Sequence, residues 1–255
     1  MRSLALATDL RLAATNGIVI DRGDYIAVAT PDNPTYCYGT YLALPAPPQV
    51  GEAAYWMRRF TEEHGGNPLV RHVTLRWDGI AGELGAGDEL IAAGFTVELH
   101  QAMTARDVTA PRIELEIRPL EPQELRATAD LALAIGDDHT DHYRQFLIRR
   151  AVWQRSLVER GLARFWGAFD GALVGSLGIV PLGKLARYQD VQVASTYRKR
   201  GIASALLAVA ARHARETGAE QMVIVAEPGS DAARVYERAG FRFTEHAGSA
   251  CLRRR

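Results

Sequence analysis

The stretch Asp190-Val-Gln-Val-Ala-Ser-Thr-Tyr-Arg198-Lys-Arg-Gly201-Ile-Ala203-Ser-Ala-Leu-Leu holds the residues most suited to chemistry. An apolar strand pattern leads into a short basic turn, and a helix then opens on Gly201. The first turn of a helix leaves backbone N–H groups without partners, and the helix dipole adds partial positive charge there. Small residues let an anion approach those amides closely. Arg198, Lys199 and Arg200 add cationic charge at the same point. The chemistry predicted is a diphosphate cradle formed by the amides of Arg198, Lys199, Arg200, Gly201, Ile202, Ala203 and Ser204. The alternative is a solvated basic turn. A nucleotide-binding loop is a poor reading, because neither Gly-x-Gly-x-x-Gly nor Gly-Lys-Ser/Thr occurs.

The elements that must position this turn follow in a consistent order. A helical pattern over 202–216 ends at Thr217-Gly218, and an apolar strand covers 221–226. Asp231-Ala-Ala-Arg-Val-Tyr236-Glu-Arg-Ala-Gly240-Phe241 then gives a helix and a Gly-Phe turn. Upstream, 113–118 alternates as a half-exposed strand and 121–135 has helical spacing. A polar connector at 136–141 precedes a long helix over 142–162, with apolar positions at Phe146, Leu147, Ala151, Trp153 and Leu157. Strands follow at 164–170, 172–180 and 185–194, the first two joined by the hairpin signal Asp170-Gly171.

Arg198-x-x-Gly201-x-Ala203, with the later helix and Gly240-Phe241 turn, resembles the signature of the GNAT superfamily of acetyl-CoA-dependent N-acyltransferases. The element order across 113–255 agrees with that fold. The resemblance implies an α/β (α+β) architecture with a mixed central sheet flanked by helices, and a domain at 109–255 that carries cofactor and catalysis. It implies acetyl-CoA as acyl donor, its pantetheine arm lying between two splayed parallel strands and pairing with the backbone near Val191 and Val193. It implies that Tyr236 is the general acid; the alternative is a buried aromatic that packs its helix. A phenol with pKa near 10 is protonated at neutral pH.

The base is less legible. Gln189 stands where many members carry a glutamate, and it cannot take a proton. Asp190 could, but in a regular strand it faces the side opposite Gln189, and it could instead anchor a neighbouring loop. His139 and His142 lie in or beside the polar connector and titrate in a useful range; the alternative for both is a surface histidine. The run from Asp137 to Asp141 either attracts a cationic acceptor or caps the next helix.

The N-terminal half echoes the C-terminal one. Leu90-Ile-Ala-Ala-Gly94-Phe95-Thr-Val-Glu98 parallels Val235 to Glu245. Before it, strand patterns at 24–30, 36–44 and 71–77 and a helical pattern at 51–64 fit a second, degenerate GNAT-like unit over 1–108. This resembles tandem-GNAT proteins; the alternative is an unrelated α+β domain. Pro45-Ala-Pro47-Pro48 replaces the cradle there, and proline has no N–H to donate. A companion domain without cofactor is expected.

The 255 residues carry 30 basic and 30 acidic side chains, so net charge is zero and no nucleic-acid partner is expected. Arg253-Arg254-Arg255 reads as a solvated tail. Cys37 and Cys251 form no metal-ligand pattern and are expected as free thiols in a reducing compartment; no metal is expected. No apolar run approaches membrane-spanning length, and no leader pattern is present, so a cytoplasmic protein without membrane partner is expected. The partner implied is a small-molecule or peptide amine, and a homodimer stays open. A different class of function is an idle acyl-CoA-binding sensor or partner-binding module, which Gln189 favours.

Overall fold

The computed structural model describes residues 1–253. Arg254 and Arg255, part of the expected basic tail, lie outside them. In chain order the first half carries α1 (Leu4–Ala13), β1 (Ile18–Asp21), β2 (Ile26–Ala29), β3 (Tyr41–Leu44), α2 (Ala53–His64), β4 (His72–Trp77), α3 (Gly87–Ala92) and β5 (Thr96–Ala105). The second half carries β6 (Glu116–Pro119), α4 (Arg126–Ile135), α5 (Asp141–Glu159), β7 (Arg164–Asp170), β8 (Ala172–Leu182), β9 (Leu185–Val193), α6 (Ile202–Glu216), β10 (Gln221–Ala226), α7 (Asp231–Arg238) and β11 (Arg242–Arg253). Sheets flanked by helices make the expected mixed α/β class. Among the described residues no helix is long and apolar enough to cross a membrane.

Among the described residues two compact units emerge, 1–102 with 244–253, and 103–243. The chain end thus packs with the first unit, because β11 pairs antiparallel with β4, Cys251 opposite Thr74.

In the second unit β6, β7, β8 and β9 form antiparallel neighbours, and β10 lies parallel to β9. The sheet carries α6 by a stripe of Ile202, Ala205, Leu206, Ala210, Ala211 and Ala214, all buried. Their i, i+3, i+4 spacing puts them on one face, and the alanines let the helix lie close to the strands. The helix ends in a Schellman-type turn, the Ala219 amide donating to the Ala214 carbonyl at 2.9 Å.

In the first unit β1, β2 and β3 are antiparallel and β3 runs parallel to β4. Its core gathers Tyr25, Leu42, Leu44, Trp56, Phe60, Leu75, Trp77 and Leu90. The expected strand at 36–44 is only partly one: Cys37–Gly39 is a 3-10 turn, held by the Thr30 hydroxyl donating to the Gly39 carbonyl at 2.6 Å, and β3 starts at Tyr41. Helix α1 and strand β1 were not legible, α1 because its periodicity is weak and β1 because all four of its residues are exposed.

The echo between the halves survives in the backbone. After α3 the Phe95 amide donates to the Leu90 carbonyl at 3.0 Å, and after α7 the Phe241 amide donates to Tyr236 at 3.0 Å. Gly94 and Gly240 donate in the same way to the residue three before them. Phe95 and Phe241 are both buried.

Candidate functional site

Strands β9 and β10 pair only at Leu185, Ala186 and Arg187 with Gln221, Met222 and Val223. Beyond Arg187 the ladder stops, although β9 continues to Val193 and β10 to Ala226. On the far side, β9 stays bonded to β8 out to Val193 opposite Gly175. From Tyr188 to Val193, then, β9 keeps one edge paired while the edge toward β10 has no strand on it. Val191 and Val193 lie in this open part and pack against the core.

The parallel pair of the first unit shows the contrast. There β3 and β4 remain zipped to their ends, Leu44 opposite Trp77, and the Asp78 amide still donates to the Leu44 carbonyl at 2.9 Å. The segment after β3 is the proline run, and the Ala86 amide binds the Pro48 carbonyl at 2.6 Å.

The open edge of β9 leads into the basic turn. A 3-10 turn, Ser195–Tyr197, is followed by Arg198 in extended geometry and by Lys199 at φ +63°. Gly201 sits at φ +78° as the residue before α6, and no side chain among the described residues caps that helix. The leading amides of α6, those of Ile202, Ala203 and Ser204, have no intrahelical acceptor. Arg198, Lys199 and Arg200 are all exposed around them. Ile202 itself is buried, so it anchors the helix with its side chain and offers only its amide. A Cβ on Gly201 would stand 2.8 Å from Pro111 Cγ. The positive φ and this close approach both require glycine. Pro111, in the segment between β5 and β6, thereby buttresses the turn.

The cradle fits a diphosphate on these observations. Uncapped amides, a glycine without room for a side chain and three cations meet at the end of an open strand edge. Arg198, Lys199, Arg200, Gly201, Ile202, Ala203 and Ser204 would hold such a group.

Tyr236 lies on α7, whose start is capped by the Ser230 hydroxyl accepting from the Ala233 amide at 3.1 Å. The ring is 6 % exposed and sits 6.2 Å from that of Phe241. Burial pushes its pKa up to about 12, against a downward pull from the Arg187 guanidinium. Arg187 is itself buried and occupies the last rung before the strands part.

Asp190 is placed differently from the sequence expectation. Between the pairs Ser176–Gln192 and Gly178–Gln189, β9 carries two residues against one of β8. This is a β-bulge, and Asp190 adopts φ +49° in it. Strict alternation therefore fails at Asp190, and the argument that it must face away from Gln189 does not apply. The Gln189 amide folds back to donate to the Tyr188 carbonyl at 2.8 Å. Both Asp190 carboxylate oxygens are engaged: Arg150 Nη1 donates to one at 2.9 Å and Gln154 Nε2 to the other at 2.7 Å. Gln154 Oε1 in turn accepts from the Thr128 hydroxyl at 2.9 Å. The alternative role, an anchor, is the one this geometry suits.

His139 is exposed in the connector between α4 and α5, and His142 is exposed in the first turn of α5. Asp138 Oδ1 accepts from the Thr140 amide at 2.9 Å and hydroxyl at 2.7 Å, and Thr140 caps α5 by accepting from the Tyr143 amide. Part of the acidic run thus caps the helix. Among the described residues no hydrogen bond, ion pair or ring contact joins His139 to Asp190 or Tyr236.

Sequence reasoning missed Thr128, Arg150, Gln154 and Arg187. Gln154 carried a signal: it continues the buried stripe of Leu147, Ala151 and Leu157 on α5, and a polar residue on such a stripe needs a partner.

Residues 128–241 match the family model described as the acetyltransferase (GNAT) family. Among solved structures, the fold is similar to that of a functionally unknown conserved protein from Staphylococcus epidermidis, with TM-score 0.73 and 13% identity over 94% of this chain and 95% of that one. A GCN5-related N-acetyltransferase from Kribbella flavida gives TM-score 0.67 and 13% identity, covering 99% of this chain and 96% of that one. One from Sphaerobacter thermophilus gives 0.59 and 21%, covering 92% and 82%. At these identities the likeness is one of fold. No curated protein matches the sequence.

Proposed function

We propose that the chain, whose residues 128–241 match the acetyltransferase (GNAT) family model, is an acetyl-CoA-dependent N-acetyltransferase that acts on a primary amine of a small molecule or peptide. The observation that carries this reading is the unzipping of β9 from β10 after Arg187, beside the uncapped start of α6. The donor, when bound, supplies a thioester acyl carbon open to attack by an amine. Every other function falls to residues of this chain. The amides from Arg198 to Ser204 bind the diphosphate, with the backbone as main contributor and the three cations as support. The free edge of β9 near Val191 and Val193 orients the arm between cradle and acyl group. Tyr236 holds a proton at Oη and serves as general acid. Asp190, clamped by Arg150 and Gln154, shapes the bulge, and the pH profiles of Asp190→Asn and His139→Gln distinguish this role from that of a base.

The C-terminal domain, residues 109–255 by sequence, is proposed to carry donor and catalysis. The N-terminal companion is proposed to bind no donor, a reading supported by its zipped β3–β4 pair and its prolines. A cytoplasmic location is proposed with it.

Isothermal titration of the full chain with acetyl-CoA is expected to give saturable 1:1 binding; no binding overturns the proposal. The second reading, an acyl-CoA-binding module without turnover, is favoured by Gln189 and by the occupied carboxylate of Asp190. Binding without thiol release across a broad panel of primary amines would select it.

A further inference from the structure

The two cysteines are 214 residues apart in sequence, at positions 37 and 251, yet both belong to the first unit. Cys37 opens the 3-10 turn after β2, and that turn packs on β4, where His72 Nε2 lies 3.1 Å from the Thr40 carbonyl. Cys251 lies on β11 directly opposite Thr74 of β4. The Tyr38 hydroxyl, on the same turn, donates to Glu98 of β5, and β11 lies between β4 and β5, so the turn crosses β11 and sets Cys37 beside Cys251. The Thr74 hydroxyl donates to Cys251 Sγ at 3.5 Å. Both are buried, each 9% exposed, and neither is in a disulfide.

We propose that Cys37 and Cys251 are a peroxide-oxidisable pair that closes to an intramolecular disulfide, tying the turn after β2 to the last strand. The surroundings distinguish the two sulfurs. Hydrogen bonds from the Cys37 thiol and from Thr74, with the Arg253 guanidinium nearby, lower the Cys251 pKa, whereas Cys37 is pushed up by its bond to Cys251 and by burial. The Cys251 thiolate is the nucleophile. It attacks one oxygen of hydrogen peroxide, the O–O bond breaks, and the sulfur becomes a sulfenic acid as hydroxide leaves. Cys37 then attacks that sulfur, its proton going to the departing oxygen, so an S–S bond forms and water leaves. In sum two thiols lose two electrons and two protons, and one peroxide becomes two waters. Bond formation brings the sulfurs to about 2.0 Å of each other, which needs side-chain rotation and a closing movement of the turn toward β11. A thiol-based reductant restores the pair, so in a reducing compartment the dithiol is the resting form.

The test treats the folded full chain with a small excess of hydrogen peroxide at neutral pH, alkylates remaining thiols after denaturation, and maps peptides without reduction. The expected result is a linked Cys37–Cys251 peptide pair, loss of both alkylatable thiols together, the mass of two hydrogens lost, and full reversal by dithiothreitol. Sulfinic acid on one cysteine with the other still alkylatable, disulfides between copies, or no oxidation under conditions that oxidise the urea-unfolded chain would each overturn it. In Cys37→Ser, a sulfenic-acid probe should label Cys251; in Cys251→Ser it should leave Cys37 unlabelled, and the reverse pattern rejects the assigned order. The pH dependence of alkylation in the unmodified protein gives the same answer if a variant does not fold. Its fast phase should map to Cys251 with a midpoint below the ordinary thiol value near 8.5.

Discussion

Tyr236 keeps its proton because its ring is buried in the core, where a phenolate is poorly solvated. A general acid with a pKa near 12 stays protonated over the whole working range. Transfer should therefore show no alkaline loss near pH 10 from this group, where a free tyrosine titrates. Tyr236→Phe is expected to lower kcat by about 10²-fold with little change in the donor Kd. An unchanged rate would mean that Tyr236 only packs α7. Gly201 makes a second prediction at this scale. In Gly201→Val the side chain meets Pro111 and the φ of +78° becomes strained, at a cost of about 1–3 kcal/mol. Donor Kd by titration should rise tenfold or more. Both residues were legible in the sequence, because a Gly at a helix start and a Tyr before a Gly-Phe turn are local patterns. The state of Asp190 was not, because its partners lie 36 and 40 positions away on α5.

At the scale of elements, the bulge in β9 lies in the open edge and the start of α6 follows it in the chain. Of the two non-glycine residues with positive φ among those described, Asp190 lies within the open edge and Lys199 in the turn that follows it. Such conformations persist only where the surroundings over-determine them, and here α5 does so through Arg150 and Gln154. Asp190→Asn should destabilise the fold by about 1–3 kcal/mol, because the Arg150 pair is lost and buried Gln154 keeps a weaker partner. The unfolding midpoint should fall, the donor KM should rise, and kcat should stay within about threefold. A hundredfold loss of kcat together with loss of the acidic limb of the pH profile would instead identify Asp190 as the base. The same measurements on His139→Gln should show no change in the acidic limb. Element type and order could be read from periodicity and turn residues. The bulge could not, since one extra residue in a strand leaves no mark in a pattern of apolar and polar positions.

For the whole molecule, acid should act first through the buried histidines of the N-terminal unit. His64 is 8% exposed, packs 4.6 Å from Phe60, and is depressed by burial from 6.5 to about 4; His72 is lowered for the same reason. Between those values the unfolded chain binds protons that the folded chain refuses. The stability is present above pH 6.5 and is lost as pH falls toward 4, by roughly 2–4 kcal/mol for His64. Chemical unfolding midpoints at pH 7 and pH 4.5 should show this drop, and His64→Leu should flatten it. A pH-independent midpoint over that window would refute the assignment.

The sequence by itself determined the order of strands and helices in the second half, the basic turn with its glycine, and the recurrence of a helix, Gly-Phe turn and strand in both halves. All are recorded by neighbours a few positions apart, within reach of backbone periodicity and turn chemistry. Only the tertiary structure decided where β9 and β10 part, which α5 side chains occupy Asp190, and that Cys37 lies against Cys251. Those depend on strand register and on contacts between distant segments, and the free energy that sets them is spread over a core that no local window contains.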